Sequence, residues 1–413
     1  MRPMNILVVS QYFWPENFRI NDVVRSLVDR GATVHVLTGK PNYPEGKIFT
    51  GYEALGCQTQ ELLGATVHRV PIAARGTRSA LRLVLNYLSF VISGMLFGPW
   101  LLRRQKYDAV FVYGVSPILQ AIPALFIGWL KGVPVTVWVQ DLWPESLEAT
   151  GYIRNRRVLG WVRQLVQFIY RHSDLLLVQS KGFEEPVAAL ASGTPVVYFP
   201  NSVDAIFSNP PDVSLPNIAP LDNGFSVVFA GNVGVGQAVE VIVEAAAILQ
   251  NHPEIQFVVF GQGSRWDWMC DQVLQRGLNN LHLPGRYPVE TVPGLMQKSS
   301  VLLVSLADQP IFAATVPNKV QAYMAVGRPI LACLNGEGAR LVLEAGAGLA
   351  VPAEDAHGLA EAVLRLYKMP EGERTAMGDN GRRYFKEHFD HERLIDELLV
   401  HFQVFSKGVE GDI

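Results

Sequence analysis

The chain has 413 residues, of which 49% are hydrophobic, 10% aromatic and 18% charged, with a formal net charge of −3. Such a chain can bury a large core, which excludes disordered, collagen-like and low-complexity polymers, and no global basic field draws nucleic acid to it. Cys57, Cys270 and Cys333 are odd in number and widely spaced, which fits a reducing compartment and neither a disulfide framework nor a zinc cluster.

At roughly 150 residues per domain, the length predicts two or three domains. The first residues lead straight into a strand-like run, and no secretory leader is expected. Strands are predicted at residues 6–10, 33–38, 66–70, 109–113, 135–139, 175–179 and 196–199, with a helix over 21–29. These runs are apolar throughout and separated by helical patterns, as for strands buried on both faces of a parallel sheet. Residues 200–224 carry Pro200, Pro210, Pro211, Pro216 and Pro220 and read as a linker. The alternation then restarts, with strands at 226–230, 256–260, 281–283, 301–305, 330–333 and 349–351. The expected fold is α/β: two Rossmann-like, doubly wound domains, 1–200 and 225–388, joined by a linker at 201–224 and facing a central cleft. Ligands then bind beyond the carboxyl ends of the strands.

Residues 83–102 are uncharged and almost wholly apolar, with Arg75, Arg78 and Arg82 before them and Arg103, Arg104 and Lys106 after. A second apolar stretch covers residues 118–130 and ends at Lys131. Helices near 81–104 and 117–131 have three readings. They cover the sheet as core helices, lie monotopically on an anionic membrane surface, or, for the first, span a bilayer. Asn86, Ser89, Ser93, Gly94, Gly98 and Pro99 count against a span.

Chemistry-bearing turns follow several strands. Gly231, Asn232, Gly234 and Gln237 lie in a glycine-rich turn (residues 229–237, FAGNVGVGQ) that opens a helix. Such a turn suits phosphate, since helix N-termini offer unpaired N–H groups. It matches neither a P-loop nor a GxGxxG fingerprint, and a purely structural turn is the other reading. Gly261 and Arg265 lie in or just after a second such turn, and Arg286 and Tyr287 in a third. Lys319 opens a further helix and suits a diphosphate, or else is an exposed first-turn lysine. In the first half, Glu16, Asn17 and Arg19 follow the first strand, Tyr43 the second, and Asp141 and Trp143 a later one. Asp141 is placed for a general base or a sugar-hydroxyl acceptor, or for a helix N-cap. Glu16 and Arg19 are candidates for the same cleft or for a loop salt bridge.

Together with residues 200–204 (PNSVD) and 345–352 (AGAGLAVP), these features resemble the retaining GT-B glycosyltransferases of family GT4. Residues 10–21 (SQYFWPENFRIN), 39–46 (GKPNYPEG), 141–146 (DLWPES) and 231–237 are similar to the bacterial polysaccharide subgroup of fucosaminyl and colanic-acid-type enzymes. The resemblance implies transfer of a sugar from a nucleotide-sugar to a hydroxyl acceptor. The carboxy-terminal domain would hold the donor and the amino-terminal domain the acceptor. A last helix, within 389–413, would cross back to the first domain, and no metal or other cofactor would be needed. It places the backbone of Arg286 and Tyr287 at the base, and Gly231, Asn232 and Lys319 at the diphosphate. Asp141, Glu16 and Lys319 become the catalytic candidates, with Asn17, Arg19, Tyr43 and Trp143 on the acceptor side.

The chain departs from the broad GT4 pattern. Asn232 and Gln237 stand where arginine and lysine are usual, and Ala314 and Ala322 where two glutamates are usual. Glu337 is the candidate substitute carboxylate, and Lys319 with Arg265 or Arg286 the substitute cations. The subgroup implies a UDP-linked N-acetylated hexosamine or deoxyhexosamine donor, with GDP-fucose as rival. It also implies a polyprenyl-diphosphate-linked glycan acceptor at the cytoplasmic face of the bacterial inner membrane. A UDP-HexNAc 2-epimerase of similar fold, or a non-catalytic membrane scaffold, are the alternative functions. Epimerisation without acceptor would mark the first, and absence of nucleotide binding the second.

Overall fold

The computed structural model describes residues 3–77, 79–149 and 155–410; Arg78 lies outside them. The chain divides into two compact units, residues 1–199 with 392–413 and residues 200–391.

The first unit is built on eight strands: β1 (Asn5–Val9), β2 (Thr33–Gly39), β3 (Gln58–Leu62), β4 (Ala65–Val70), β5 (Ala109–Gly114), β6 (Val135–Val139), β7 (Leu175–Val178) and β8 (Val196–Tyr198). Their order is β3-β4-β2-β1-β5-β6-β7-β8. All neighbours are parallel except β3, which pairs antiparallel with β4. The interior strands are buried along nearly their whole length, which is why they read as unbroken apolar runs. Strand β3 was not among the predicted strands. Its sequence, QTQEL, sits at the sheet edge with no fully buried residue, so it has no apolar run to recognise.

Helix α1 (Ile20–Asp29) buries Ile20, Val23, Val24 and Leu27. Against the same core lie Leu394, Ile395, Leu398 and Phe402 of the carboxy-terminal helix His391–Glu410. Helix α2 (Ala80–Leu101) is capped by Ser79, whose hydroxyl accepts the Arg82 N–H. Helices α3 (Ala121–Lys131) and α4 (Arg156–Arg171) follow. Helix α2 buries only Asn86, Phe90, Ser93, Gly94 and Gly98. A Cβ on Gly94 would come within 2.9 Å of Pro123, so the small-residue face is what seats α2 on α3. Its large apolar residues face outward: Leu81, Ile92, Leu96 and Trp100 are 69%, 57%, 68% and 59% exposed. The core-helix reading of this segment is therefore corrected. Apart from Phe90 its inward side is small or polar, and most of its large apolar residues are uncovered.

The second unit is a six-stranded, wholly parallel sheet, β9 (Phe225–Ala230), β10 (Ile255–Phe260), β11 (Leu281–Gly285), β12 (Val301–Ser305), β13 (Ile330–Cys333) and β14 (Gly348–Val351), in the order β11-β10-β9-β12-β13-β14. Apolar clusters cover both of its faces. Helices α5 (Glu240–Ile248), α6 (Asn318–Val326) and α7 (Glu337–Glu344) begin beyond the carboxyl ends of β9, β12 and β13. The proline-rich stretch expected to be a linker is folded onto this unit: Val203, Ile218 and Leu221 are buried in its core.

Candidate active site

In the second unit, three strand ends are tied together by backbone hydrogen bonds. Gly231 N–H donates to Phe260 O at 2.8 Å, Val233 N–H to Gln262 O at 3.0 Å and Gly261 N–H to Gly285 O at 2.9 Å. Two glycines make this possible. Gly231 and Gly261 have φ of 138° and 144°, and a Cβ on Gly261 would lie 1.8 Å from Gly231 O. No other residue type fits such an approach.

Beside this turn stands Lys319, in the first turn of α6. Its Nζ donates to Gln237 Oε1 at 2.5 Å and lies 3.7 Å from the centre of the Phe229 ring. A Cβ on Gly231 would meet Lys319 Cε at 2.6 Å. Lys319 is thus turned inward against the glycine turn, and the exposed first-turn reading is corrected. Burial pushes its pKa from 10.5 down to about 7, because a charged ammonium is poorly hydrated there. Tyr323, also on α6, fixes the strand end from below: its hydroxyl accepts Ala230 N–H at 3.1 Å and donates to Ala230 O at 3.2 Å.

A cavity of about 350 Å³ opens over these turns. Gly231, Asn232, Gly261, Arg286 and Tyr287 all line it. The structure therefore brings together most of the residues expected to hold the donor. Arg286 is exposed on the cavity wall, while Tyr287 packs edge-on against Phe260 with ring centres 5.6 Å apart. Gly234 is buried, and a Cβ there would lie 2.6 Å from Asn232 Nδ2, so the Asn232 side chain folds back over it.

Of the expected donor residues, Gly234, Gln237, Lys319, Arg265 and Glu337 do not line the cavity, and the last two are paired elsewhere. Arg265 pairs with Glu240 and stacks over Trp268 at 4.4 Å. Glu337 lies in the first turn of α7 and accepts Arg340 Nη2 at 2.8 Å and Nε at 3.1 Å. Each has its charge engaged locally, so neither stands as a free substitute for the missing family residues. Ala322, at one of the usual glutamate positions, is buried in α6. The apolar wall was missed from sequence: Phe207, Val289, Val292 and Met296 complete the cavity. Phe207 comes from the supposed linker, where no periodic pattern marks it.

In the first unit, Glu16 is buried and its carboxylate is spent on backbone. Oε1 accepts Asn42 N–H at 2.8 Å and Tyr43 N–H at 2.7 Å, and Oε2 accepts Phe13 N–H at 3.2 Å. Burial outweighs these bonds and raises its pKa from 4.5 to about 7. Its geometry is that of a brace between the loops after β1 and β2, and the expectation of a catalytic carboxylate is corrected to a positioning one. Around it, Tyr12 stacks on Phe18 at 5.1 Å, and Tyr43 tilts against both. Arg75 lies 5.1 Å over the Tyr43 ring, and its Nη1 donates to Tyr12 Oη at 3.3 Å. Sequence reasoning named Tyr43 here but not Tyr12, Phe18 or Arg75 as site residues. Asn17 is exposed in the same loop, and Arg19 immediately precedes α1.

Asp141 follows β6 as expected. Its Oδ2 accepts Ser116 N–H at 3.0 Å and Ser116 Oγ–H at 2.8 Å, and the Trp143 indole N–H donates to Ser116 Oγ at 3.0 Å. Trp143 is buried in this role and does not offer an open ring to an acceptor. The loops after β1, β2, β5 and β6 each carry a cis X–Pro bond: Trp14–Pro15, Tyr43–Pro44, Ser116–Pro117 and Trp143–Pro144. A buried polar chain, Gln11 N–H to Gln120 Oε1 at 2.7 Å and Gln11 Nε2 to Asn86 Oδ1 at 2.7 Å, ties the first loop to helix α2.

Comparison with known proteins agrees with this division. Residues 17–202 match the family described as glycosyl transferase 4-like domain, and residues 224–369 that described as glycosyl transferases group 1. A putative colanic acid biosynthesis glycosyl transferase, WcaI of Escherichia coli K12, is 29% identical over 344 residues, which is 78% of this chain and 82% of the relative. Among solved structures, sucrose-phosphate synthase of Thermosynechococcus elongatus superposes with a TM-score of 0.73 at 15% identity, covering 98% of this chain and 100% of that one. A trehalose-6-phosphate protein of E. coli, bound with UDP-2-fluoro glucose, gives a TM-score of 0.72 at 13% identity over 96% of this chain and 98% of that one. These matches favour neither the epimerase nor the scaffold.

Proposed function

We propose, from the premise that this chain is a glycosyltransferase of GT-B fold with GT4-like domains, that it transfers an N-acetylated hexosamine or deoxyhexosamine from a UDP-sugar to a polyprenyl-diphosphate-linked glycan, with retention at the anomeric carbon. The work is done at the cytoplasmic face of a bacterial inner membrane, in assembly of a cell-surface polysaccharide. One observation carries the reading: Lys319, the Gly231 turn and the Gly261 turn converge beside a cavity of about 350 Å³ that Arg286 and Tyr287 also line. A base fits against the cavity wall, and the diphosphate fits against the glycine turns and the ammonium.

Chemically, departure of the nucleoside diphosphate is the step these groups assist. The sugar–oxygen bond breaks, and charge grows on the diphosphate. Lys319, packed against the Gly231 turn, meets that charge where it develops. No metal is invoked, because Lys319 supplies a cation there once the diphosphate draws its pKa back up. On the acceptor side we assign Asp141, oriented by Ser116, to the incoming hydroxyl, with Tyr43 and Arg75, backed by the buried Tyr12, as a further polar surface of this unit. The described relative in colanic acid biosynthesis and the uncovered apolar face of α2 support the lipid-linked acceptor.

A screen of UDP- and GDP-sugars for thermal stabilisation, followed by transfer to a polyprenyl-linked acceptor, tests the proposal. Stabilisation by UDP and by one UDP-HexNAc is expected, with transfer lost in Asp141→Asn. Stabilisation by no nucleotide would refute the donor site, and full turnover in Asp141→Asn would refute the acceptor assignment.

A further inference from the structure

Helix α4 was no part of the apolar segments singled out from sequence, yet it completes their surface. Helix α2 packs on α3, and α3 contacts α4. The charged residues of these three helices are Arg82, Lys131, Arg156, Arg157, Arg163 and Arg171, and none is acidic. The four arginines of α4 are all exposed. Trp161 and Phe168, seven residues apart and so on one face of α4, are 70% and 49% exposed, and Trp129 at the end of α3 is 76% exposed. Acids stand nearby, Glu184 and Glu185 opening the helix Glu184–Ala191 that packs on α4 and Asp174 just beyond α4, but large aromatics set among exposed arginines are the composition of a surface that meets anionic headgroups.

Between these helices lies a cavity of about 570 Å³, within the range of small-ligand sites. Met95 of α2, Ile122, Leu125, Phe126 and Trp129 of α3, and Phe168 of α4 wall it. Its polar lining is already engaged: His172 Nδ1 bonds to Phe168 O at 2.8 Å, and Asp174 Oδ2 accepts Val135 N–H at 2.7 Å. A peptide strand would find few partners for its backbone there, whereas a hydrocarbon needs none. The cavity sits at the amino-terminal ends of β6 and β7, beside Val135 and Asp174, while Asp141 and Ser116 lie at the opposite, carboxyl ends of the strands. Its occupant is therefore a bulk lipid and not the glycan-bearing substrate.

We propose that the cavity between α2, α3 and α4 binds one acyl chain of an anionic phospholipid, with the α4 arginines on the headgroups around it. This rests on the reading that the enzyme works at a membrane surface, and it supplies the contact that holds it there between turnovers.

The test uses the full chain with vesicles of phosphatidylcholine alone or mixed with phosphatidylglycerol, each carrying a lipid with a photoreactive group near the acyl terminus. After irradiation, adducts are mapped by peptide mass spectrometry. Adducts are expected in residues 122–135 and 168–174, and only with the anionic mixture. Arg157→Glu with Arg163→Glu is expected to weaken binding to anionic vesicles by about tenfold or more. Leu125→Trp, which fills the cavity, is expected to remove the adducts while vesicle binding persists. The wild-type map decides the matter even if that variant folds poorly. Adducts confined to α2, or equal labelling from both vesicle types, would overturn the pocket. Neither outcome touches the transferase reading, which is judged by nucleotide-sugar stabilisation and turnover in solution.

Discussion

The inward lysine gives the sharpest test of the donor site. Lys319 is held over an aromatic ring with a single neutral acceptor, Gln237, and its pKa falls from 10.5 to about 7. That displacement amounts to about 5 kcal/mol against the charged form. The side chain keeps some solvent, so about half of this is what an arriving diphosphate has to recover. At pH 8 the free enzyme carries mostly the neutral amine, and a bound dianion draws the pKa back up. UDP binding at pH 8 should thus take up about one proton. Calorimetry in buffers of different ionisation enthalpy reads this directly as a slope of apparent enthalpy against buffer enthalpy. Lys319→Met should flatten the slope and weaken UDP binding by about thirtyfold. The same group sets a stability trend. Its folded pKa lies below its unfolded one, so the native state holds fewer protons between pH 7 and 10.5, and its stability rises with pH across that window. Lys319→Met should accordingly melt higher than wild type at pH 6, with the gap closing towards pH 10. Tight UDP binding by wild type with no buffer dependence at pH 8 would refute the argument.

Gly261→Ala forces a Cβ to 1.8 Å from Gly231 O at a φ of 144°. It should cost roughly 1–3 kcal/mol of stability and abolish thermal stabilisation by UDP; unchanged melting and UDP response would show that the two turns are not rigidly joined. Glu16, raised from 4.5 to about 7 by burial, contributes stability that is fully present below pH 4.5 and lost as pH rises through 7. Melting of wild type should therefore fall relative to Glu16→Gln between pH 5 and 8, and a pH-independent difference would count against a buried, protonatable brace.

Much of the architecture is dictated locally. Strands covered on both faces by helices must be apolar throughout, so residues 135–139, 301–305 and 330–333 announce themselves with their observed bounds. Glycine turns at β9 and β10 are equally visible, since only glycine tolerates their backbone. What the sequence does not carry is which side chains meet. Lys319 and Gln237 are 82 positions apart, and only the pairing of β9 with β12 puts α6 beside the first turn. Glu16 and Asp141 look alike as carboxylates after strands. Tertiary contact separates them, because three backbone N–H groups converge on one and a serine on the other. Strand β3 was hidden because an edge strand with no buried face needs no apolar alternation. The membrane-facing segment shows the division plainly. Composition alone made α2 apolar, but its orientation follows from where Gly94, Gly98 and Asn86 find close or hydrogen-bonded partners, and that choice left the greasy side uncovered.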